Sequence, residues 1–219
     1  MSSFVVHTIP GSPFARAVLA TLEEKGAAYR MAPVAPGTLK SARHLALHPF
    51  GRIPVLEHGD FRLYETQAIL RYLDRVLPAP PLTPTDPRAA ARMDQAIGVN
   101  DWYLFPGVAN VIVFQRVVGP KLLGLPTDEA AVAEAMPKAK TVFVELARLL
   151  GAQPYFAGEA LSLADLTLAP QIDFFAGLPE WESLMRPHRN LQEWHGRMLA
   201  RQSLQATTWE KVSAMAQAA

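Results

Sequence analysis

The fold is indicated most clearly by residues 52–69, which read RIPVLEHGDFRLYETQAI. Residues 52–58 and 61–64 are predicted to be strands, because Gly59-Asp60 between them is a pair typical of tight turns. Apolar residues at helical spacing then predict a helix over 65–77. The stretch is therefore a predicted β-hairpin that runs into a helix.

The residues upstream of the hairpin predict a further strand–helix alternation. Pro10-Gly11 marks a turn after the first strand, Ser12 suits the N-cap of the next helix, and Pro13 suits its first position. The upstream elements are a strand over 4–9, a helix that ends at Lys25-Gly26, a strand over 28–34 and a short irregular helix over 39–47. The order β-α-β-α-β-β-α predicts a compact α/β domain over residues 1–78.

A proline-rich stretch separates this domain from the rest of the chain. Residues 78–87 contain five prolines and cannot form regular structure, so we assign residues 79–87 to a linker. Everything downstream has helical periodicity and predicts an all-helical domain over 88–219. Its main segments are predicted near 88–118, 128–150, 163–177 and 190–201.

Two local patterns refine the helical domain. Residues 162–165, Ser-Leu-Ala-Asp, resemble a capping box before an apolar helical run. We expect the tail after Gln205 to be loosely held.

The composition excludes several classes of function. The 219 residues are half hydrophobic and carry a formal net charge of +1 with intermixed signs, so nucleic acid is not expected as a partner. No apolar run reaches the roughly 18 residues of a membrane span, and no secretory signal is recognisable, so we expect a cytoplasmic protein without membrane contact. Cysteine is absent, which excludes disulfides, thiolate metal sites and reactions at a protein thiol.

Ser12 is the first candidate functional residue. A hydroxyl at the positive end of a helix can donate a hydrogen bond to an anion, including a thiolate. No histidine or aspartate at a suitable spacing would make it a nucleophile. Taken alone, the pattern favours a purely structural role as the helix cap, because Ser is among the commonest caps.

Two further patterns carry possible binding groups. Pro54 lies in an apolar strand although it has no N–H for the ladder, and a cis Ile53-Pro54 bond would leave the Ile53 backbone free to pair with an extended peptide. Glu65 and Thr66 begin a helix, where a carboxylate and a hydroxyl could hold an ammonium and a carboxylate. Each pattern also has an ordinary structural explanation.

Together with the domain order, these motifs resemble the soluble glutathione transferases over essentially the full length of the chain. The serine turn with Arg16 one turn later is similar to phi-type and related serine-using bacterial members. Residues 51–56 and 65–69 are similar to the family's most specific stretches, and residues 161–165 to its C-terminal capping motif. The resemblance implies a thioredoxin-like N-terminal domain and an all-helical C-terminal domain.

The resemblance also implies roles for residues. Ser12 would donate a hydrogen bond to the glutathione sulfur. The remaining glutathione contacts it implies are Ile53 and cis-Pro54 at the cysteinyl part, Glu65 and Thr66 at the γ-glutamyl end, and Lys40 and Arg52 near the glycyl carboxylate. Leu39 and His48 depart from the family, which often has His and Asn at these positions.

The expected activity is the attack of a glutathione thiolate on a hydrophobic electrophile, for detoxification. The electrophile is expected between Ser12 and the first long helix of the helical domain, with contacts to Pro13, Phe105 and Phe114. A non-catalytic carrier of glutathione or apolar ligands, or a specialised isomerase, dehalogenase or peroxidase, remains as an alternative.

The resemblance also bears on assembly and on metals. Phe50 aligns with an aromatic residue that enters the partner subunit in many members, so a homodimer is expected. His44 and His48 are spaced i, i+4, but no third ligand accompanies them, and no metal is expected.

Overall fold

A computed structural model describes residues 4–35 and 37–218 of the chain. Four strands form one sheet in the order β2-β1-β3-β4. They are β1 (Phe4–Thr8), β2 (Tyr29–Pro33), β3 (Val55–His58) and β4 (Phe61–Tyr64).

Eleven α-helices lie within the described residues, in the predicted alternation followed by a helical region. They are α1 (Pro13–Glu24), α2 (Ala42–Leu45), α3 (Thr66–Val76), α4 (Pro87–Val99), α5 (Asn110–Val113), α6 (Glu129–Leu150), α7 (Leu163–Asp173), α8 (Trp181–Met185), α9 (Arg189–Leu199), α10 (Gln202–Ala206) and α11 (Trp209–Gln217). The order β-α-β-α-β-β-α is confirmed, and so are the predicted N-cap Ser12 and the capping box that begins α7.

The register of the sheet brings four loop segments to one end. β1 is parallel to β2, with Thr8 beside Pro33, and antiparallel to β3, with His7 beside Val55. Val55 in turn pairs with Tyr64 of the antiparallel β4. The segments that follow β1, β2 and β4 therefore begin at the same end of the sheet as the segment that leads into β3.

The chain divides into two compact units. One comprises Met1–Leu82 together with Ala200–Ala219, and the other comprises Thr83–Leu199. The division differs from the expected domains, because residues 79–82 and the last twenty residues belong with the sheet.

The prediction of a loosely held tail is wrong. α10 and α11 follow Gln202 almost without interruption, and α10 packs against α1 while α11 contacts β2. Thr207 and Val212 are buried. These contacts join segments far apart in the sequence, so the local pattern of the tail does not reveal them.

The first unit has a core between the sheet and its helices. α1 and α3 contact each other, α1 also contacts β1, and α3 contacts β4. The apolar residues of these elements are the most deeply buried of the unit: Val6, Val18, Leu19, Leu22, Leu56, Ile69, Leu70 and Leu73. This core fixes the ends of the strands and the first turns of α1 and α3.

The second unit is helical, but its first long segment is not one regular helix. Between α4 and α5 the chain forms wide π-helical turns (Asn100–Ala109), and the path breaks at Pro106 and at Gly107, which has φ 77°. π-helical turns recur after α5 over Phe114–Leu122. The predicted continuous helix near 88–118 is therefore interrupted.

The segment Pro87–Leu122 is long and apolar enough to cross a membrane by length and composition alone. The cores of many soluble proteins contain helices of this kind, and nearly half of its most apolar window is buried inside the structure. The break at Pro106 and Gly107 also prevents it from being one uninterrupted helix.

Candidate functional site

Ser12 lies in a turn that connects β1 to α1. Its N–H donates to the Ile9 carbonyl at 3.2 Å, and Pro10 with Gly11 at φ 88° forms the corner, as in a type II turn. The Ser12 Oγ accepts the Ala15 N–H at 3.2 Å and so caps α1. A hydroxyl that accepts one hydrogen bond can still donate its own hydrogen, so the cap does not use up the donor.

The bond between Ile53 and Pro54 is cis, as predicted. Among residues 4–35 and 37–218, no hydrogen bond involves the Ile53 backbone N–H or C=O. Both groups are therefore available to an extended ligand at the edge of the sheet. The preceding carbonyl, that of Arg52, lies 2.8 Å from Nε2 of the buried His44.

Glu65 begins α3 in an unusual backbone conformation. Its φ of 70° and ψ of 113° make it the one residue other than glycine with a positive φ in the described part of the chain. Such a conformation costs about 1–3 kcal/mol and persists where the surrounding structure requires it, often at a binding site. Thr66, the first residue of the helix, is buried next to it.

A cavity of about 640 Å³ lies beside Glu65 in the first unit. Its lining is mostly polar. It includes three of the predicted glutathione contacts, Lys40, Arg52 and Glu65, together with Pro49, Phe50 and Gly51. Two cations and one carboxylate suit a ligand that carries both a carboxylate and an ammonium group. The Lys40 ammonium also donates to the Phe50 carbonyl at 3.0 Å.

Gly51 is a residue whose importance the sequence reasoning missed. It has φ 62°, and a Cβ at this position would lie 2.6 Å from the Leu39 carbonyl oxygen and about 3 Å from the Lys40 side chain. No other residue fits between the segment after β2 and the segment before β3. The one feature of the sequence that could have indicated this role is that Gly51 begins the motif of residues 51–56.

His48 supports the same cavity from the interior. The ring is buried and lies 4.6 Å from the ring of Tyr64, and its Nδ1 has no hydrogen-bond partner in the described residues. Burial lowers the pKa of His48, the nearby Glu65 carboxylate acts in the opposite direction, and His44 and the two cavity cations lower it further. The neutral imidazole is therefore the favoured form at neutral pH.

His44 and His48 are possible metal ligands because of their i, i+4 spacing. No group of three potential ligands from His, Cys, Asp and Glu occurs among residues 4–35 and 37–218. His44 Nε2 lies 2.8 Å from the Arg52 carbonyl oxygen, so this ring nitrogen has a hydrogen-bond partner within the protein.

The second unit carries the aromatic residues that were predicted to meet an electrophile. Phe105 is half-buried in the π-helical turns, and Phe114 is 36% exposed. A separate apolar cavity of about 470 Å³ lies between α4 with the turns after it and α6. Trp102, Tyr103, Val99 and Val142 line it, but Phe105 and Phe114 do not.

Comparison with known proteins identifies both parts of the chain. Residues 11–76 match the family description "Glutathione S-transferase, N-terminal domain". Residues 129–197 match "Glutathione S-transferase, C-terminal domain". The two matches fall on the sheet-containing unit and on the helical unit.

Individual relatives agree over most of their length. A probable glutathione S-transferase of Oryza sativa subsp. japonica is 33% identical over 192 residues, which is 85% of this chain and 87% of the relative. A glutathione S-transferase of Hyoscyamus muticus is 33% identical, over 90% of this chain and 93% of the relative. The solved structure of glutathione S-transferase-I bound with lactoylglutathione is 29% identical, has a TM-score of 0.83, and covers 98% and 100% of the two chains.

Proposed function

The chain belongs to the glutathione S-transferase family of enzymes, and we propose that it activates the glutathione thiol through Ser12 for attack on hydrophobic electrophiles. The observation that carries this proposal is the geometry of the Ser12 turn. The hydroxyl caps α1 through its oxygen and keeps a hydrogen to donate at the positive end of the helix.

The energies available at this turn are sufficient for thiol activation. Lowering the pKa of a thiol by two units from about 8.5 requires roughly 2.7 kcal/mol of preferential stabilisation of the thiolate. A hydrogen bond to a charged group contributes about 1.5–3 kcal/mol. A helix N-terminus adds about 0.3–1 kcal/mol. The two contributions together match the requirement.

The glutathione molecule would extend along one end of the sheet. The free backbone groups of Ile53 support an extended pairing with the cysteinyl part, beside the cis Pro54. Glu65 and Thr66 would hold the γ-glutamyl ammonium and carboxylate. That a structural relative was solved with lactoylglutathione bound is in keeping with a glutathione derivative as ligand.

The opposite end of glutathione would meet the two cavity cations. Lys40 and Arg52 line the same cavity as Glu65, and their charges suit the glycyl carboxylate. Leu39 offers no polar group at the position where related enzymes often have histidine. We therefore assign the glycyl end to Lys40 and Arg52.

The reaction is a displacement or addition without a covalent enzyme intermediate. The thiol proton passes to solvent, and the thiolate sulfur forms a bond to an electrophilic carbon. In a displacement the leaving group departs with the electron pair of its bond, and in an addition the displaced π electron pair takes up a proton from solvent. The chain has no cysteine, so a mixed disulfide with the enzyme cannot form. Pro13, Phe105 and Phe114 are the proposed contacts of the apolar electrophile.

We further propose that the enzyme acts in the cytoplasm as a homodimer, with detoxification as its role. Phe50 is 63% exposed although it is a large apolar residue, and the apolar cavity of the helical unit is bordered by Trp102 and Tyr103, which are also exposed. A cavity of about 150 Å³ already accepts a benzene ring. The apolar cavity of about 470 Å³ in a second copy is therefore large enough to accept the Phe50 ring.

The decisive experiment measures glutathione-dependent turnover of a chloronitrobenzene in three variants of Ser12. Ser12→Ala removes both the donor and the cap, Ser12→Gly removes the donor but costs the helix only a few tenths of a kcal/mol, and Ser12→Thr keeps both. We expect kcat to fall at least tenfold in the Ala and Gly variants and to be largely retained in the Thr variant. Calorimetry should show little change in glutathione affinity.

The Gly variant separates activation from capping. If Ser12→Gly turns over as fast as the wild type, Ser12 acts only as a cap and the mechanism is wrong. If the wild type binds glutathione but converts neither this electrophile nor a panel of peroxides and other electrophiles, the carrier function replaces catalysis.

A further inference from the structure

The C-terminal segment follows α1 from its end back to its beginning. Arg201 forms an ion pair with Glu24 at the last residue of α1, with Nε 2.7 Å from Oε1. The Leu204 carbonyl accepts from Arg16 in the second turn of the helix, at 3.1 Å. As the residue number rises along the segment, the partner number on α1 falls.

The next contact of this series reaches the Ser12 turn itself. The indole of Trp209, the first residue of α11, lies directly over Gly11. A Cβ on Gly11 would be 2.9 Å from Cε2 of Trp209 and 3.0 Å from Cζ2. The six-membered ring therefore covers the backbone immediately before Ser12, and no side chain could be placed between them.

The Ser12 turn is held differently on its two sides. On the helix side, the Ser12 carbonyl accepts a hydrogen bond from the Arg16 N–H at 2.9 Å, and the Ser12 hydroxyl accepts one from the Ala15 N–H. On the loop side, the 3.2 Å contact to Ile9 closes a corner whose shape depends on Gly11 at φ 88°. The Trp209 ring packs against Gly11 at that corner, and outside Gly11 and its chain neighbours its atoms are the three nearest to a Cβ at that position.

We propose that Trp209 is a positioning residue that fixes the Ser12 turn and thereby sets the pKa of the bound glutathione thiol; this rests on the proposed activation by Ser12. A hydrogen bond weakens steeply when its distance and angle depart from the preferred values. Without the indole, the Gly11 corner relaxes and the hydroxyl no longer points consistently at the sulfur. Trp209 then acts on the thiol through the Ser12 turn, although it lies almost 200 residues from Ser12 in the sequence.

The test compares Trp209→Ala and Trp209→Phe with Val212→Ala in the full-length enzyme. Val212 is buried in the same helix, so its truncation loosens α11 without removing the indole. The pH dependence of kcat/KM for a chloronitrobenzene and the ultraviolet absorbance of the thiolate in the glutathione complex both report the pKa of the thiol. The second readout does not require turnover.

We expect Trp209→Ala to raise the pKa of the bound thiol by about one unit, while glutathione affinity changes less than threefold. For a thiol whose pKa starts two units below 8.5, this rise lowers the thiolate fraction at pH 7 about threefold. Trp209→Phe, which restores a flat ring, should recover more than half of the shift, and Val212→Ala should show none. The inference is overturned if the Trp209→Ala titration superimposes on that of the wild type, or if Val212→Ala shifts it equally.

A parallel titration of Ser12→Gly distinguishes this failure from a failure of the proposed function. A shift in Ser12→Gly without one in Trp209→Ala overturns the role of Trp209 and leaves activation by Ser12 intact. A wild-type complex whose thiol titrates as in free glutathione overturns both.

Discussion

At the scale of single residues, Glu65 shows most directly how binding and stability compete. Its positive φ is a conformation that glycine adopts without strain, yet the chain has a charged residue there, at the wall of the polar cavity. A residue that costs stability at this position is expected to contribute something that glycine lacks. We assign to the Glu65 carboxylate the binding of an ammonium group of the ligand.

Replacement of Glu65 should therefore separate the two effects. Glu65→Gly removes strain of about 1–3 kcal/mol and adds about 0.5–1 kcal/mol of backbone entropy cost, so urea unfolding should show equal or higher stability. The same variant should raise KM for glutathione about tenfold, because a hydrogen bond to a charged group contributes about 1.5–3 kcal/mol.

The isosteric variant Glu65→Gln provides the control. It keeps the backbone strain and removes only the charge, so it should raise KM without a gain in stability. A normal KM in both variants would remove Glu65 from the binding site.

At the scale of elements, α7 depends on a single buried carboxylate. Asp165 accepts four hydrogen bonds: from the backbone N–H groups of Phe156 and Ser162, from the Ser162 hydroxyl and from the Trp194 indole, at 2.6–3.0 Å. Burial raises the pKa of Asp165, and the four hydrogen bonds act in the opposite direction. Asp165 thus links the start of α7 to Trp194 in α9 and to Phe156 in the loop before α7.

Removal of this carboxylate should be far more costly than the loss of an ordinary cap. We expect Asp165→Ala to lower the free energy of unfolding by about 3 kcal/mol or more, since unsatisfied buried donors cost about 1–3 kcal/mol in addition to the cap itself. Asp128 is the exposed N-cap of α6, and its carboxylate accepts a hydrogen bond from the Ala131 N–H. Asp128→Ala should lower the free energy of unfolding by about 1 kcal/mol. Urea unfolding of both variants makes the comparison; similar losses would mean that Asp165 is only a cap.

At the scale of the whole molecule, Phe50 and Trp102 are among the large apolar residues that are exposed in the described part of the chain. Phe50 projects from the first unit, and Trp102 (74% exposed) borders the apolar cavity of the second. Exposed apolar surface of this kind marks interaction sites. In the proposed homodimer, a second copy of the chain would cover both features.

Sedimentation velocity at low micromolar concentration tests this assembly. The wild type should sediment as a dimer, and both Phe50→Ala and Trp102→Ala should shift it towards the monomer, because each removes one side of the same contact. Phe61→Ala is the matched control, since Phe61 is 45% exposed on β4 of the same unit as Phe50. A Phe50→Ala variant that sediments like the wild type would argue against the proposed insertion of Phe50 into the partner's apolar cavity.

Several features of the fold could be predicted because they depend on local chemistry. The Ser12 cap, the capping box at Ser162 and the tight turn at Gly59-Asp60 are each specified by residues within a few positions of one another. The cis bond before Pro54 was implied by the resemblance to the glutathione transferases and not by the local pattern alone, and Pro54 precedes β3 rather than lying in it. The interruption at Pro106-Gly107 was missed, because apolar periodicity continues on both sides of it.

By itself, the sequence determined the order of strands and helices in the first unit, the caps at Ser12 and Ser162, and which motifs carry a hydroxyl, a carboxylate and two cations. Only the tertiary structure decided that Trp209 covers Gly11, that His44 meets the Arg52 carbonyl, and that Gly51 must pass beside Leu39. Caps and turns depend on interactions a few residues apart, which a local pattern encodes. Contacts between distant segments depend instead on how the apolar faces of the helices pack on the sheet, and that packing is settled only when the whole chain is folded.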